Sequence, residues 1–377
     1  MHDLCEMNDC TGCMACADIC PRDAITVKIE VDHCAAQIDD TKCIHCNLCE
    51  KVCQVHHPVS LMPPVRWHQG WAADAEIRSH ASSGGIASAV AAAFVENFGT
   101  VYACSLQNGE FGFIPVETKA DISRIRGSKY VKSNPGRVYS QIRETLKAGN
   151  KALFIGLPCQ VGAVKNFVGE KLWENLYTMD LICHGTPPSH LLESYFQKKE
   201  NNERIPDDLS FRNHTKFGLT TAKKGLLLSN IRDPYMISFL SGISYTENCY
   251  HCPYAQSSRT GDISLGDSWD SDLPAEEQVR GISLILVQSA KGEALLESSN
   301  VRLLDVDVRR ATEANVQLRH PTERPAGRDQ FLKLLKNGRS LRYTVWRCFP
   351  KQSFKQMVKR ILFGIRAGLK KPGDIWL

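Results

Sequence analysis

From about residue 77 onward the hydrophobic positions switch between helical and strand periods. Residues 86–95 form an apolar run rich in small side chains, which predicts a closely packed helix. Residues 99–104 and 111–116 read as strands joined by a turn at Asn108-Gly109. A helix over 138–148, ended by Gly149, comes next. Two short apolar strands follow. Residues 151–156 run into Leu157-Pro158-Cys159-Gln160, and residues 176–182 run into Cys183-His184-Gly185. Strand, turn, helix and strand in this rhythm predict a βαβ sheet. Function in such sheets gathers at the carboxyl ends of the strands, where Cys159 and Cys183 fall. Farther on, 209–212, 225–228 and 281–288 read as strands and 233–241 as a helix. The polar stretch 319–328, with two prolines, reads as a boundary. Residues 55–75 carry His56-His57-Pro58 and Met62-Pro63-Pro64 and read as a linker, the histidine pair as a solvated turn. Trp67 and Trp71 are expected to dock the front of the chain onto the rest. At the far end Phe354, Met357, Val358, Ile361, Leu362, Ile365 and Leu369 recur at helical spacing among lysines and arginines. Such a basic amphipathic helix suits an anionic membrane, an acidic partner, or packing on its own protein with a solvated charged face.

The front of the chain is organised by cysteine. Cys10-x-x-Cys13-x-x-Cys16-x-x-x-Cys20-Pro21 is repeated as Cys43-x-x-Cys46-x-x-Cys49-x-x-x-Cys53. Three thiolates two residues apart can wrap one face of a cubane, and the fourth corner needs a more distant sulfur. Structural zinc usually shows separated pairs instead. Over about fifty residues the segment resembles bacterial-type two-cluster ferredoxin domains, in which the fourth Cys ligates the other cluster. One [4Fe–4S] cluster is thereby assigned to Cys10, Cys13, Cys16 and Cys53, the other to Cys43, Cys46, Cys49 and Cys20. Gln54 stands where the second repeat would often carry proline, which affects the turn and its hydrogen bonds rather than the ligands. Cys5 and Cys34 are spare and read as packing or surface residues. Cys34 lies in 24–41, expected as an apolar hairpin covering the clusters.

A chain of 377 residues implies two or three units. Its sixteen cysteines would be many without a purpose; eight serve the repeat, which implies a reducing compartment. The first residues lack a secretory pattern, and no apolar run of about eighteen residues occurs. The expected location is cytoplasmic, with the tail able to hold the protein at a membrane periphery. A net charge of +5 gives no argument for nucleic acid. The expected division is 1–58 ferredoxin, 59–75 linker, 76–325 mixed α/β core and 326–377 basic helical tail.

Cys159, Cys183, Cys249 and Cys252 make a further set of four thiols. Around them stand Ser82-Ser83-Gly84-Gly85, Gly-Ser-Lys-Tyr at 127–130, Gly-Leu-Pro-Cys-Gln at 156–160, Ile-Cys-His-Gly at 182–185 and Asp-Ile-Ser-Leu-Gly-Asp-Ser-Trp at 262–269. In this order the motifs resemble the family of coenzyme F420 hydrogenase/dehydrogenase beta subunits over about residues 76–320. The resemblance implies FAD and one more [4Fe–4S] cluster, held by Cys159, Cys183, Cys249 and Cys252. Ser82, Ser83, Gly84 and Gly85 open a helix whose backbone N–H groups suit a pyrophosphate. Lys129 and Tyr130 suit a phosphate and a ring. Gly266 and Asp267 offer backbone near the flavin, or Asp267 a cap for the next helix.

The fold expected is a bacterial-type ferredoxin module, then a mixed α/β flavin- and cluster-binding domain, then a basic tail. The function expected is a flavin-dependent iron–sulfur oxidoreductase. It would link a ferredoxin-like donor or other redox subunit to a small organic two-electron substrate, a deazaflavin such as coenzyme F420 or another. The alternative is a non-catalytic electron-transfer subunit of a larger complex, docked on a protein or membrane through the tail.

Overall fold

The computed structural model describes residues 1–199, 204–221 and 232–366. The front segment forms a small antiparallel sheet of β1 (His2–Asp3), β2 (Ile25–Ile29) and β3 (Cys34–Ile38), ordered β1-β3-β2. β2 and β3 are the expected hairpin, and the buried Ile25, Ala36 and Ile38 pack beneath the cysteines. Two five-residue helices, Ala15–Ile19 and Leu48–Val52, begin inside the two cysteine repeats.

The body is an eight-stranded mixed sheet. Its strands are β4 (Arg66–Ala72), β5 (Gly99–Gln107), β6 (Glu110–Val116), β7 (Lys151–Gly156) and β8 (Leu176–Leu181). A separate hairpin, β9 (Ser210–Asn213) and β10 (Lys216–Thr220), precedes β11 (Ile263–Asp267), β12 (Ser283–Val287) and β13 (Val301–Leu304). The order across the sheet is β13-β4-β12-β11-β8-β7-β5-β6. β5, β7, β8 and β11 run parallel, as the βαβ rhythm predicts. Asn108 and Gly109 turn the β5–β6 hairpin with φ of 55° and 74°, the pair of positive values that a two-residue turn of this kind demands. Helices Ile86–Asn97 and Pro158–Val168 cover the sheet with Phe94, Val90, Val161 and Val164 fully buried.

Two expectations change. Part of the 59–75 linker is β4, paired with β12 and β13. Trp67 and Trp71 therefore belong to the main sheet: Trp67 packs on the Ile182–Leu284–Leu286 cluster, and Arg78 lies over the Trp71 ring. They do not dock the ferredoxin segment. The strand expected at 225–228 and the tail beyond 366 lie outside the described residues. No helix among the described residues is long and apolar enough to cross a membrane.

Candidate functional site

The cysteine repeats fold alike. Cys20 and Cys53 both end their short helices at φ −71°, ψ 116°, and Met14 and Asn47 both precede them in the left-handed region. Gly12 (φ 63°) and His45 (φ 54°) are equivalent turns. Only at Gly12 is glycine needed for space, since a Cβ there would meet the Cys34 Cβ at 2.8 Å. Tight turns of this kind aim N–H groups at sulfur. His45 donates to Cys43 Sγ at 3.4 Å, and Ala24 donates to Cys20 Sγ at 3.3 Å.

Cys10, Cys13, Cys16 and Cys53 line one cavity, together with Cys5 and Gln54. Cys5 adjoins Cys10 and Cys53, and its thiol, with a single proton to donate, lowers the pair while being held well above the usual thiol range itself. Burial pushes Cys13 up to about 11. Of the other front set, Cys20, Cys43 and Cys49 pack on the small apolar cluster, and Cys46 is exposed. Burial raises Cys49, and Cys20 and Cys46 add to the shift as like-charged neighbours.

Cys159, Cys183, Cys249 and Cys252 gather at the carboxyl edge of the large sheet. Cys159 lies in the first turn of Pro158–Val168 after β7, and Cys183 lies two residues beyond β8. Cys249 sits in the 3₁₀ turn Glu247–His251, and Cys252 follows it. The loop after Cys252 is fastened by Arg259, which is 1% exposed. Its guanidinium donates to Asp180 at 2.9 Å, to the Tyr254 carbonyl at 2.7 Å and to the Leu181 carbonyl at 2.7 Å. Asp180 also accepts from the Gly261 N–H at 2.8 Å. A buried pair with every lone pair used holds one arrangement of the chain. Burial pushes Cys159, Cys183 and Cys252 up to about 12, each raised further by other members of the four.

The two regions share a wall. Lys132 is 5% exposed, and its Nζ donates to the Thr11 carbonyl at 2.8 Å. Despite burial it is raised above the usual lysine value by the thiols of Cys249, Cys159, Cys34 and Cys183. No carboxylate among the described residues forms an ion pair with it. Gln54 donates to Thr11 Oγ1 at 2.9 Å and accepts from the Tyr254 hydroxyl. Tyr139 donates to the Cys13 carbonyl at 2.9 Å, and the Glu247 N–H donates to the Asp32 carbonyl at 2.8 Å. Lys132, Tyr254, Arg259 and Asp180 are not marked by the sequence motifs; the absence of proline at Gln54 is the one signal pointing here.

The expected flavin contacts lie along the same sheet edge. Asp267 is opposite Ser283, which is opposite Gly70, and Gly84 packs against both Gly70 and Ser283. The Ser128 N–H donates to Ser82 Oγ at 2.8 Å, joining the Ser82–Gly85 loop to the Lys129–Tyr130 loop. Helix Ile86–Asn97 has no side-chain cap. Several donors are nonetheless used internally. Ser83 Oγ donates to the Ile282 carbonyl at 2.9 Å, and the Gly84 N–H to Ser283 Oγ at 3.1 Å. Lys129 Nζ donates to the carbonyls of Ile125 and Arg126, and the Tyr130 ring stacks on Phe239 at 4.5 Å. Gly266 lies in β11 against Ile182. Asp267 does not cap a helix: it forms a bidentate pair with Arg212 at 2.7 and 2.8 Å, a partner not foreseen from the sequence.

Among the described residues no three His, Cys, Asp or Glu side chains converge tightly enough for a single ion. A 4Fe-4S dicluster domain matches residues 9–56, which defines the class as iron–sulfur protein. Two further matches follow in succession, to the two halves of the coenzyme F420 hydrogenase/dehydrogenase beta subunit: its N-terminal part over residues 67–137 and its C terminus over 149–306. The chain belongs to that family. It is 24% identical to an F(420)H(2) dehydrogenase subunit of Methanosarcina mazei over 297 residues, 72% of this chain and 78% of the relative. A chain in a structure of the F420-reducing [NiFe] hydrogenase complex from Methanosarcina barkeri is 20% identical. That match covers 83% of this chain and 97% of the other, with a TM-score of 0.49.

Proposed function

We propose that the chain is a flavin-dependent iron–sulfur oxidoreductase that works within a larger redox assembly. Its reaction joins a one-electron carrier to a two-electron organic substrate of the coenzyme F420 kind. The reading divides the chain into a ferredoxin module (1–58), a flavin and cluster domain, expected at 76–325 but including β4 before it and the buried Phe331, Leu332, Leu341 and Val345 after it, and a basic tail, expected at 326–377 and reduced to its last helix. Cys10, Cys13, Cys16 and Cys53 would hold one [4Fe–4S] cluster, Cys43, Cys46, Cys49 and Cys20 a second, and Cys159, Cys183, Cys249 and Cys252 a third. FAD would lie along the edge formed by Ser82–Gly85, Lys129, Tyr130, Gly266 and Asp267. Bound there, clusters would pass single electrons and the flavin would exchange two.

One observation carries this reading: the wall between the first cavity and the core thiols is a single hydrogen-bonded unit of Thr11, Gln54, Tyr254 and Lys132. The residues have separable tasks. Lys132 supplies positive charge where four thiolates would accumulate negative charge. Cys5 supplies a hydrogen bond to sulfur, a contact that tunes such centres. Arg259 and Asp180 fix the loop bearing Cys252 against β8.

A second reading is favoured by the internal satisfaction of Ser83, Gly84 and Lys129: an electron-transfer subunit without flavin. Iron, sulfide and flavin analysis of anaerobically purified protein decides between them. About twelve irons and near one FAD per chain, bleached by substrate, are expected. Twelve irons without flavin after reconstitution leave the carrier, and about eight irons remove the core cluster.

A further inference from the structure

The last described helix, Pro350–Arg366, is turned inside out. Its buried positions are polar: Ser353 and Gln356, the latter accepting from the Arg232 N–H at 3.0 Å. Its outward positions are apolar, with Phe354 55%, Leu362 55% and Ile361 38% exposed. At 3.6 residues per turn, positions 354, 358, 361 and 362 form one stripe. Exposed Lys351 and Lys355 flank it. A helix stabilised by its own domain would bury that stripe and leave Ser353 and Gln356 outside. Helix Leu341–Cys348, packed against it, likewise leaves Tyr343 and Trp346 exposed.

Charge follows the same surface. Residues 330–366 contain ten lysines and arginines and no aspartate or glutamate. With +5 for the whole chain and +10 for this segment, everything else carries −5. The basic character of the protein is therefore a property of this end alone.

We propose that the outward face of Pro350–Arg366 rests on an anionic phospholipid surface. Phe354, Ile361 and Leu362 enter the boundary between headgroups and acyl chains, and Lys351 and Lys355 meet the phosphates. An acidic protein would satisfy the lysines, but a convex stripe of apolar side chains interleaved with cations is the chemistry of an interfacial helix. The contact is peripheral, and it places the body of the protein beside the bilayer.

Cosedimentation of the full-length, iron-loaded protein with vesicles tests this. Phosphatidylcholine vesicles containing phosphatidylglycerol are expected to bind at least about tenfold more protein than phosphatidylcholine alone, with the excess lost in high salt. The Phe354→Ser/Leu362→Ser variant should bind several-fold less at unchanged iron content, because both side chains face outward. The Lys351→Ser/Lys355→Ser variant should lose the preference for phosphatidylglycerol. Equal or absent binding to the two vesicle types overturns the proposal. So does a Phe354→Ser/Leu362→Ser variant that keeps its iron and binds like the parent. Association with an acidic protein that depends on Leu362, in the absence of vesicle binding, overturns it in favour of a protein partner.

Discussion

The front cavity and the core thiol set hold the same kind of side chain in different electrostatic settings. In the front cavity Cys10 and Cys53 are lowered by the neighbouring Cys5 thiol. At the sheet edge Cys159, Cys183 and Cys252 are pushed to about 12 by burial. The front cavity thus divides its four thiols, lowering Cys10 and Cys53 beside Cys5 while burial raises Cys13 and Cys16. The core set excludes water and relies on buried cations brought from distant loops, Lys132 above all and Arg259 at Cys252. Removing charge from water is costly unless it is compensated, so the core set depends on its partners more than the front set does.

That contrast can be broken most sharply at the ligands. Cys183→Ser is expected to remove about four of about twelve irons and to leave the front clusters intact. Iron counting and electron paramagnetic resonance on anaerobic protein check this, and loss of front iron as well would end the separation. Next in size, Lys132→Met leaves the Thr11 carbonyl without its donor and the core thiols without their chief cation. A cost of about 1–3 kcal/mol is expected, as for a buried carbonyl left without its donor. The core midpoint potential should fall, whereas that of the Cys43-containing site stays in place. Anaerobic denaturation and potentiometry measure both, with Lys132→Arg as the charge-preserving control.

Tyr254→Phe should have a smaller effect, about 1 kcal/mol, through loss of the donor to Gln54. The same denaturation curves report it. The last expectation concerns pH in metal-free, reduced protein. The lowered pair of Cys10 and Cys53 ionises at lower pH than an ordinary thiol, whereas the raised core thiols stay protonated to about 12. Ligands must lose their protons to bind metal. Raising the pH from about 7 to 9 should therefore speed iron loading at both sites, and more at the core set, where Cys159, Cys183 and Cys252 are all raised, than in the front cavity, where only Cys13 and Cys16 are. Chromophore growth in the parent and in Cys183→Ser separates the two. Cys5→Ala should push Cys10 and Cys53 back toward ordinary thiol values and steepen the pH dependence of the front cavity.

Local features were legible from residue order. The β5–β6 turn at Asn108-Gly109, the helix ended by Gly149 and the strands leading to Cys159 and Cys183 all depend on neighbouring dihedrals and short hydrophobic periods. β4 was hidden because prolines dominate the start of its segment. Its strand status comes from β12 and β13, more than two hundred residues later. Asp267 read as backbone near a ligand or a cap, since nothing in its vicinity announces Arg212 across the fold. The terminal helix shows the same limit. Its periodicity is plain, but the choice of buried face was made by the Arg232 N–H accepted by Gln356 rather than by its apolar stripe.

The sequence by itself determined the paired turns of the two cysteine repeats, because the conformation between thiols two or three residues apart is a matter of adjacent backbone angles. It also determined the parallel rhythm of the sheet and the concentration of charge at the far end. Only the tertiary structure decided that Cys159, Cys183, Cys249 and Cys252 share one edge with Lys132, and that Thr11, Gln54 and Tyr254 close the gap to the front cavity. Those neighbours come from separate strands and loops. Their meeting depends on sheet register and on the burial of Arg259 with Asp180, for which no short stretch of residues carries a signal.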